Sequence, residues 1–182
     1  MTTVGIVGLG IMGGAIARNL LAAGMAVRGF DIDAARFAAL EPKGVAATSG
    51  GAAAQGADVV LTSLPSTKAL DETVASLLAA KLPGLVVAEL STLPIEAKEK
   101  ARVALAGGNI TLLDCPLSGT GAQAVTRDLA VYASGERQAY ERAEPVFRGF
   151  ARATHYLGAF GNGSKMKFIA NLLVAVHNVA SA

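Results

Sequence analysis

The chain has 182 residues, enough for one sheet-based domain and a short extension. It is 52% hydrophobic and 16% charged, with a mean hydropathy of +0.46 that reflects many small apolar residues able to pack closely between helix and sheet. A formal net charge of +2, with no basic run interleaved with aromatics, gives no basis for nucleic acid or an anionic membrane, and the single cysteine, Cys115, excludes an internal disulfide.

Strand-length apolar runs alternate with helical patterns along the chain, the signature of a parallel α/β sheet. Thr3–Val7 reads as the first strand and 11–23 as its helix, stopped at Gly24. Ala26–Phe30 is the second strand, and a helix over 33–40 follows, with Asp33 as its N-cap. A short strand over 44–47, a helix over 51–55 and a central strand over 58–63 come next, the last ending at Leu64-Pro65. The pattern continues as helix 70–79, strand 85–89, helix Ile95–Ala106 and strand Thr111–Asp114. Strand 129–134, helix 138–150 and strand 153–157 complete the alternation, and from Gly163 onward the pattern is helical. The predicted class is α/β, a doubly wound Rossmann-type mostly parallel sheet over residues 1–160, with 161–182 starting a helix that leaves it.

Gly8-Leu9-Gly10-Ile11-Met12-Gly13 follows the first strand and opens the first helix, the context in which this glycine spacing binds a dinucleotide. Gly8 permits the tight turn, Gly10 lets backbone approach a pyrophosphate, and Gly13 lets helix and strand pack closely. A ligand-free turn is the alternative. Asp31 ends the second strand at the offset where a carboxylate binds the adenosine ribose and repels a 2′-phosphate, so NAD is expected over NADP. Arg36 reads as a residue of the solvated face of the following helix, with a rival phosphate contact as the alternative. Two further strand ends, Ser63-Leu64-Pro65 and Ser91-Thr92, lie on the side where open α/β sheets bind ligands. Each also reads as helix capping.

On the last helix Lys167 and Asn171 stand four residues apart and share a face, whereas Lys165 points to nearly the opposite side. A lysine early in a helix meets an adverse dipole, so function or a snorkelling surface role must account for it. The loop Ser118-Gly119-Thr120 offers hydroxyls and backbone N–H groups for a carboxylate, or is simply a glycine-rich connection. Cys115 reads as a small buried hydrophobe. His155 and His177 lack ligand spacing, and no metal site is expected.

In order and spacing, these motifs resemble the β-hydroxyacid dehydrogenase family, the 3-hydroxyisobutyrate dehydrogenase-like oxidoreductases with a 6-phosphogluconate dehydrogenase-type NAD-binding domain. The resemblance rests on the glycine turn, Leu64-Pro65, Ser91-Thr92, Asp114-x-Pro116-x-Ser118-Gly119, and Gly161-x-Gly163-x-x-x-Lys167-x-x-x-Asn171. It implies that Lys167 is the catalytic acid/base and that Asn171 with Ser118 and Gly119 holds a small carboxylate substrate. It also implies that 161–182 is the start of an interdomain helix leading to an all-helical domain, expected to be absent here, and that a homo-oligomer forms through this C-terminal helix. Thr120 departs from a glycine common in the family, which implies a differently shaped acid pocket. A cytoplasmic protein is expected, since no signal-peptide pattern or membrane-length apolar helix is read. An NAD-binding module without its own turnover is the rival expectation.

Overall fold

Apolar runs of four or five residues, buried on both faces, build most of the main sheet, as parallel strands covered by helices require. The computed structural model describes residues 1–181. β1 (Thr3–Val7), β2 (Ala26–Phe30), β3 (Val45–Ala46), β4 (Val59–Thr62), β5 (Val86–Glu89) and β6 (Thr111–Asp114) form a six-stranded sheet in the order β3-β2-β1-β4-β5-β6. All neighbouring strands are parallel. The strand order reverses between β1 and β4, which opens a crevice at their carboxyl ends.

Helices cover both faces. α1 (Ile11–Ala22) lies over one, where Ile16, Leu20, Val4, Ile6 and Leu61 share a core. α2 (Gly50–Ala54), α3 (Thr67–Ala79) and α4 (Ile95–Ala106) cover the other, where Val60, Val87, Leu112, Leu77 and Leu105 meet. Ser49 and Ser66 cap α2 and α3 by accepting from Ala52 N–H and Ala69 N–H. The segment after Asp33 departs from expectation by forming a 3-10 helix, Ala34–Leu40, although Asp33 caps it as predicted.

The chain beyond β6 also differs from the single sheet expected. β7 (Leu117–Ser118), β8 (Ala130–Ala133) and β9 (Ala153–Tyr156) form a separate three-stranded sheet, β8 antiparallel to β7 and parallel to β9. Pro116 has no N–H to continue the β6 ladder, and Gly119, at φ +131°, turns the chain out of it. A short helix, α5 (Gly121–Val125), follows with the Thr120–Gln123 capping box. α6 (Arg137–Phe150) returns across the sheet and seats Phe147 and Phe150 in the core. α7 (Asn162–Ala180) ends the described chain, buried only over Gly163 and Ser164.

Candidate active site

The glycine turn sits at the reversal of strand order and is packed too tightly for side chains on its inner side. A Cβ on Gly13 would lie 1.9 Å from Gly8 O, and one on Gly8 would lie 2.1 Å from Ser63 O. At Gly10 the nearest atom would be Arg36 Nη1 at 3.2 Å, so that residue presents bare backbone to the crevice. The first bond of α1 runs from Gly14 N–H to Gly10 O, which leaves the preceding N–H groups of Ile11, Met12 and Gly13 at the positive end of the helix dipole. This cradle fits a pyrophosphate. Leu9 contributes only backbone there, because its side chain is in the core and its N–H donates to Asp31 Oδ2 at 2.7 Å.

Asp31 is buried and also accepts from Asp33 N–H at 2.9 Å. It therefore steadies the turn from the corner where an adenosine ribose would lie. Arg36 is exposed, as expected, and also turns its guanidinium toward the two carboxylates. It lies 3.4 Å from Asp31 and 3.4 Å from Asp33. Residues three apart eclipse in a 3-10 helix, which brings Arg36 over Asp33 while leaving it open to solvent.

The remaining loops line the same edge. Ser63 and Leu64 are half-buried, while Pro65 and Thr92 are exposed. Leu64 N–H donates to Ser91 Oγ at 2.7 Å, which ties the loop after β4 to the loop after β5. α5, unread in the sequence, brings the Ser118–Thr120 loop to the glycine turn. Asn19 Nδ2 on α1 donates to Ala124 O at 2.8 Å, and a Cβ on Gly121 would lie 2.6 Å from Ile11 Cγ2.

A cleft of about 650 Å³ brings Ser118, Gly119, Thr120, Lys167 and Asn171 together. Tyr132, His155 and the Arg152–Asp128 ion pair also line it. Lys167 is half-buried, and burial lowers its amine below the ordinary 10.5. Lys165 is exposed on another side of α7, near Asn162 Oδ1. The Thr120 hydroxyl is engaged within the α5 capping box, 3.2 Å from Gln123 Oε1. Cys115 is fully buried, which pushes its thiol well above the usual range. Among the described residues, no cluster of His, Cys, Asp or Glu is arranged to hold a metal ion.

Beneath the cleft lies a charged cluster that sequence reasoning missed. Thr62, Glu89 and Asp114 are register neighbours at the carboxyl ends of β4, β5 and β6. Lys98 reaches them from α4 with no exposed surface, donating to Asp114 Oδ1 at 2.8 Å and to Ser91 O at 2.7 Å. Glu89 Oε2 lies 2.7 Å from Lys98 Nζ but outside hydrogen-bond alignment, and Oε1 accepts from Ser91 N–H at 2.9 Å. Burial raises the Glu89 carboxyl above its ordinary range, and Lys98 and Ser91 offset this only in part. Burial pulls the Lys98 amine down, but Glu89 and Asp114 together outweigh it and hold it above 10.5. Lys98 lies in the charged stretch Ile95–Ala106, which carries no signal that one lysine turns inward.

A doubly wound parallel sheet, with a glycine cradle at its switch point, defines a dinucleotide-binding domain. Residues 3–158 match the model of the NAD binding domain of 6-phosphogluconate dehydrogenase, and the chain belongs to that family. It is 34% identical over 186 residues to the NAD-dependent L-serine dehydrogenase of Pseudomonas aeruginosa, covering 100% of this chain and 62% of that protein. It is 36% identical over 186 residues to the L-threonate dehydrogenase of Cupriavidus necator, covering 98% of this chain and 62% of that one. The solved 3-hydroxyisobutyrate dehydrogenase of Mycobacterium tuberculosis with L-serine superposes with a TM-score of 0.93 at 31% identity, over 99% of this chain and 62% of that chain. The present chain thus spans 62% of the length of these relatives.

Proposed function

We propose that this chain carries the cofactor half of an NAD-dependent oxidoreductase acting between nicotinamide and a small 3-hydroxy acid, or its semialdehyde or keto form. Residues 1–160 are the cofactor domain in this reading, and the helix from 161 is its connection to further structure. The observation that carries the reading is the shared cleft of Lys167, Asn171 and the Ser118–Thr120 loop, adjoining the glycine turn through α5. The relatives support the substrate class: L-serine, L-threonate and 3-hydroxyisobutyrate all bear a hydroxyl on the third carbon of a carboxylic acid.

Bound NAD supplies the hydride acceptor. Lys167, as a neutral amine, takes the hydroxyl proton in oxidation, and its ammonium returns a proton to the forming alkoxide in reduction. Partial burial lowers the amine toward working pH. Asn171 and the Ser118-Gly119 backbone orient the acid, which lowers the entropic barrier. The Asp31 carboxylate at the ribose corner favours NAD over NADP, because Arg36 is already paired with it. The exposed apolar face of α7 supports a homo-oligomer formed through that helix, and the reading places the protein in the cytoplasm. Among the described residues, no helix is long and apolar enough to cross a membrane.

One feature favours a second reading, an NAD-binding module without turnover: Asn171 and the rest of α7 are exposed, so the cleft is open on that side. One experiment separates the two. NAD is titrated by fluorescence, and NADH formation is then followed with L-serine, L-threonate and 3-hydroxyisobutyrate. NADH formation that is lost in Lys167→Ala supports the dehydrogenase. Tight NAD binding with no turnover on any of these acids supports the module.

A further inference from the structure

α7 lacks a cap of its own. Its N-cap, Gly161, has no side chain, and the helix borrows its first partners from distant strands. Gly163 N–H donates to Ser134 Oγ at 2.9 Å, and Ser164 N–H donates to Asp114 Oδ2 at 2.8 Å. Ser164 Oγ also donates to Asp114 Oδ1 at 2.7 Å. Asp114 in turn is held by Lys98, whose other partner, the Ser91 carbonyl, belongs to the residue that ties down Leu64. An unbroken polar chain therefore runs from the loop after β4, through Ser91, Lys98, Asp114 and Ser164, to the helix that bears Lys167 one turn later. Every side chain in its Lys98–Asp114–Ser164 part is buried.

We propose that Asp114, held in place by Lys98, is a positioning residue for Lys167: it fixes the first turn of α7 and so sets where the amine stands in the cleft. This rests on the acid–base reading of Lys167. Stability alone does not account for the cluster, because well-packed apolar side chains replace buried ion pairs at little or no loss. A carboxylate at this point does what an apolar side chain cannot. It accepts two bonds from one residue of the helix, and it places negative charge at the positive end of the helix dipole. Lys167 lines the same cleft as Tyr132, His155 and the Arg152–Asp128 pair, so a small shift of the helix changes how far its amine is withdrawn from water.

The test is Ser164→Ala in the same chain, with NAD affinity as the control for an intact cofactor domain. Two quantities are read: the Lys167 amine titration, by carbon NMR at Cε assigned with Lys167→Ala, and backbone amide exchange over 165–168. The expected result is exchange faster by about tenfold or more, the equivalent of a lost hydrogen bond to a charged group. The Lys167 titration moves up toward 10.5 while NAD affinity holds. Asp114→Asn moves both readouts in the same direction and further; should it fail to fold, Ser164→Ala decides alone. Unmoved titration and exchange in Ser164→Ala overturn the proposal. Neither readout needs turnover. A shifted titration therefore sustains the positioning role even where Lys167→Ala leaves the rate intact, which defeats only the acid–base reading.

Discussion

Lys167 stands half out of water on a helix otherwise mostly exposed, and in the acid–base role proposed for it the lowered amine carries a kinetic signature. Alcohol oxidation is expected to rise with pH and to level off at an inflexion below 10.5, as the neutral amine becomes the prevailing form. Lys167→Ala should abolish that rising limb and cut kcat by about 10²-fold or more, with NAD affinity unchanged. Steady-state rates across pH, together with a fluorescence titration, check both. Asp31 is the second residue whose removal is diagnostic. Its carboxylate holds Leu9 N–H at 2.7 Å, so Asp31→Ala loosens the glycine turn as well as removing the carboxylate proposed to meet the ribose. A charge-assisted bond is worth roughly 1.5–3 kcal/mol, so NAD affinity should fall by about tenfold or more. Unaltered affinity in the same titration defeats the assignment.

Gly163 shows what the elements demand of each other. A Cβ there would stand 2.2 Å from Tyr132 O and 2.7 Å from Asp114 O, both backbone atoms that cannot swing aside. Gly163→Ala should push the start of α7 off β8, speed amide exchange through its first turns and leave exchange in β1 and β4 unchanged. Hydrogen exchange by mass spectrometry reads all three regions at once. The glycine's presence was legible in the sequence, but the reason for it was not. Continuous apolar runs and the proline and glycine breaks gave β1, β2, α4 and β6 to the residue. β7 and α5 escaped because a two-residue strand and a five-residue helix carry no periodicity. The facing of Lys167 and Asn171 followed from helical spacing alone. Lys98 could not be found that way, since its partners Glu89 and Asp114 lie on other elements, and nothing local distinguishes it from the solvated Lys100.

Across the whole molecule, the Lys98 cluster couples folding to pH. The Lys98 amine is raised, so its stabilisation is complete below 10.5 and disappears as pH climbs through the higher folded value. Glu89 is raised as well, so the folded state keeps a proton that the unfolded chain sheds near 4.5. That contribution is present below 4.5 and drains away as pH rises through the folded value. Thermal unfolding followed by circular dichroism should therefore show Tm falling through the Glu89 titration and again on the alkaline side. Glu89→Gln should remove the first fall and Lys98→Met the second. The outer face of α7 makes a separate demand. Leu172, Leu173, Val174 and Val176 are each more than half exposed, a patch suited to self-association. Sedimentation should show concentration-dependent oligomers that Leu173→Lys with Val176→Lys disperses. The borrowed cap of α7 also has a consequence beyond its own turn. Its side-chain partners lie 29 and 50 residues back along the chain, so the cap of the first turn is complete only once Ser134 and Asp114 are in place. The start of the helix bearing the lysine is thus tied to long-range contacts with the sheet. Without the sheet behind it Lys167 has no cleft to stand in, so the site proposed around it is a property of the finished domain and not of the helix alone.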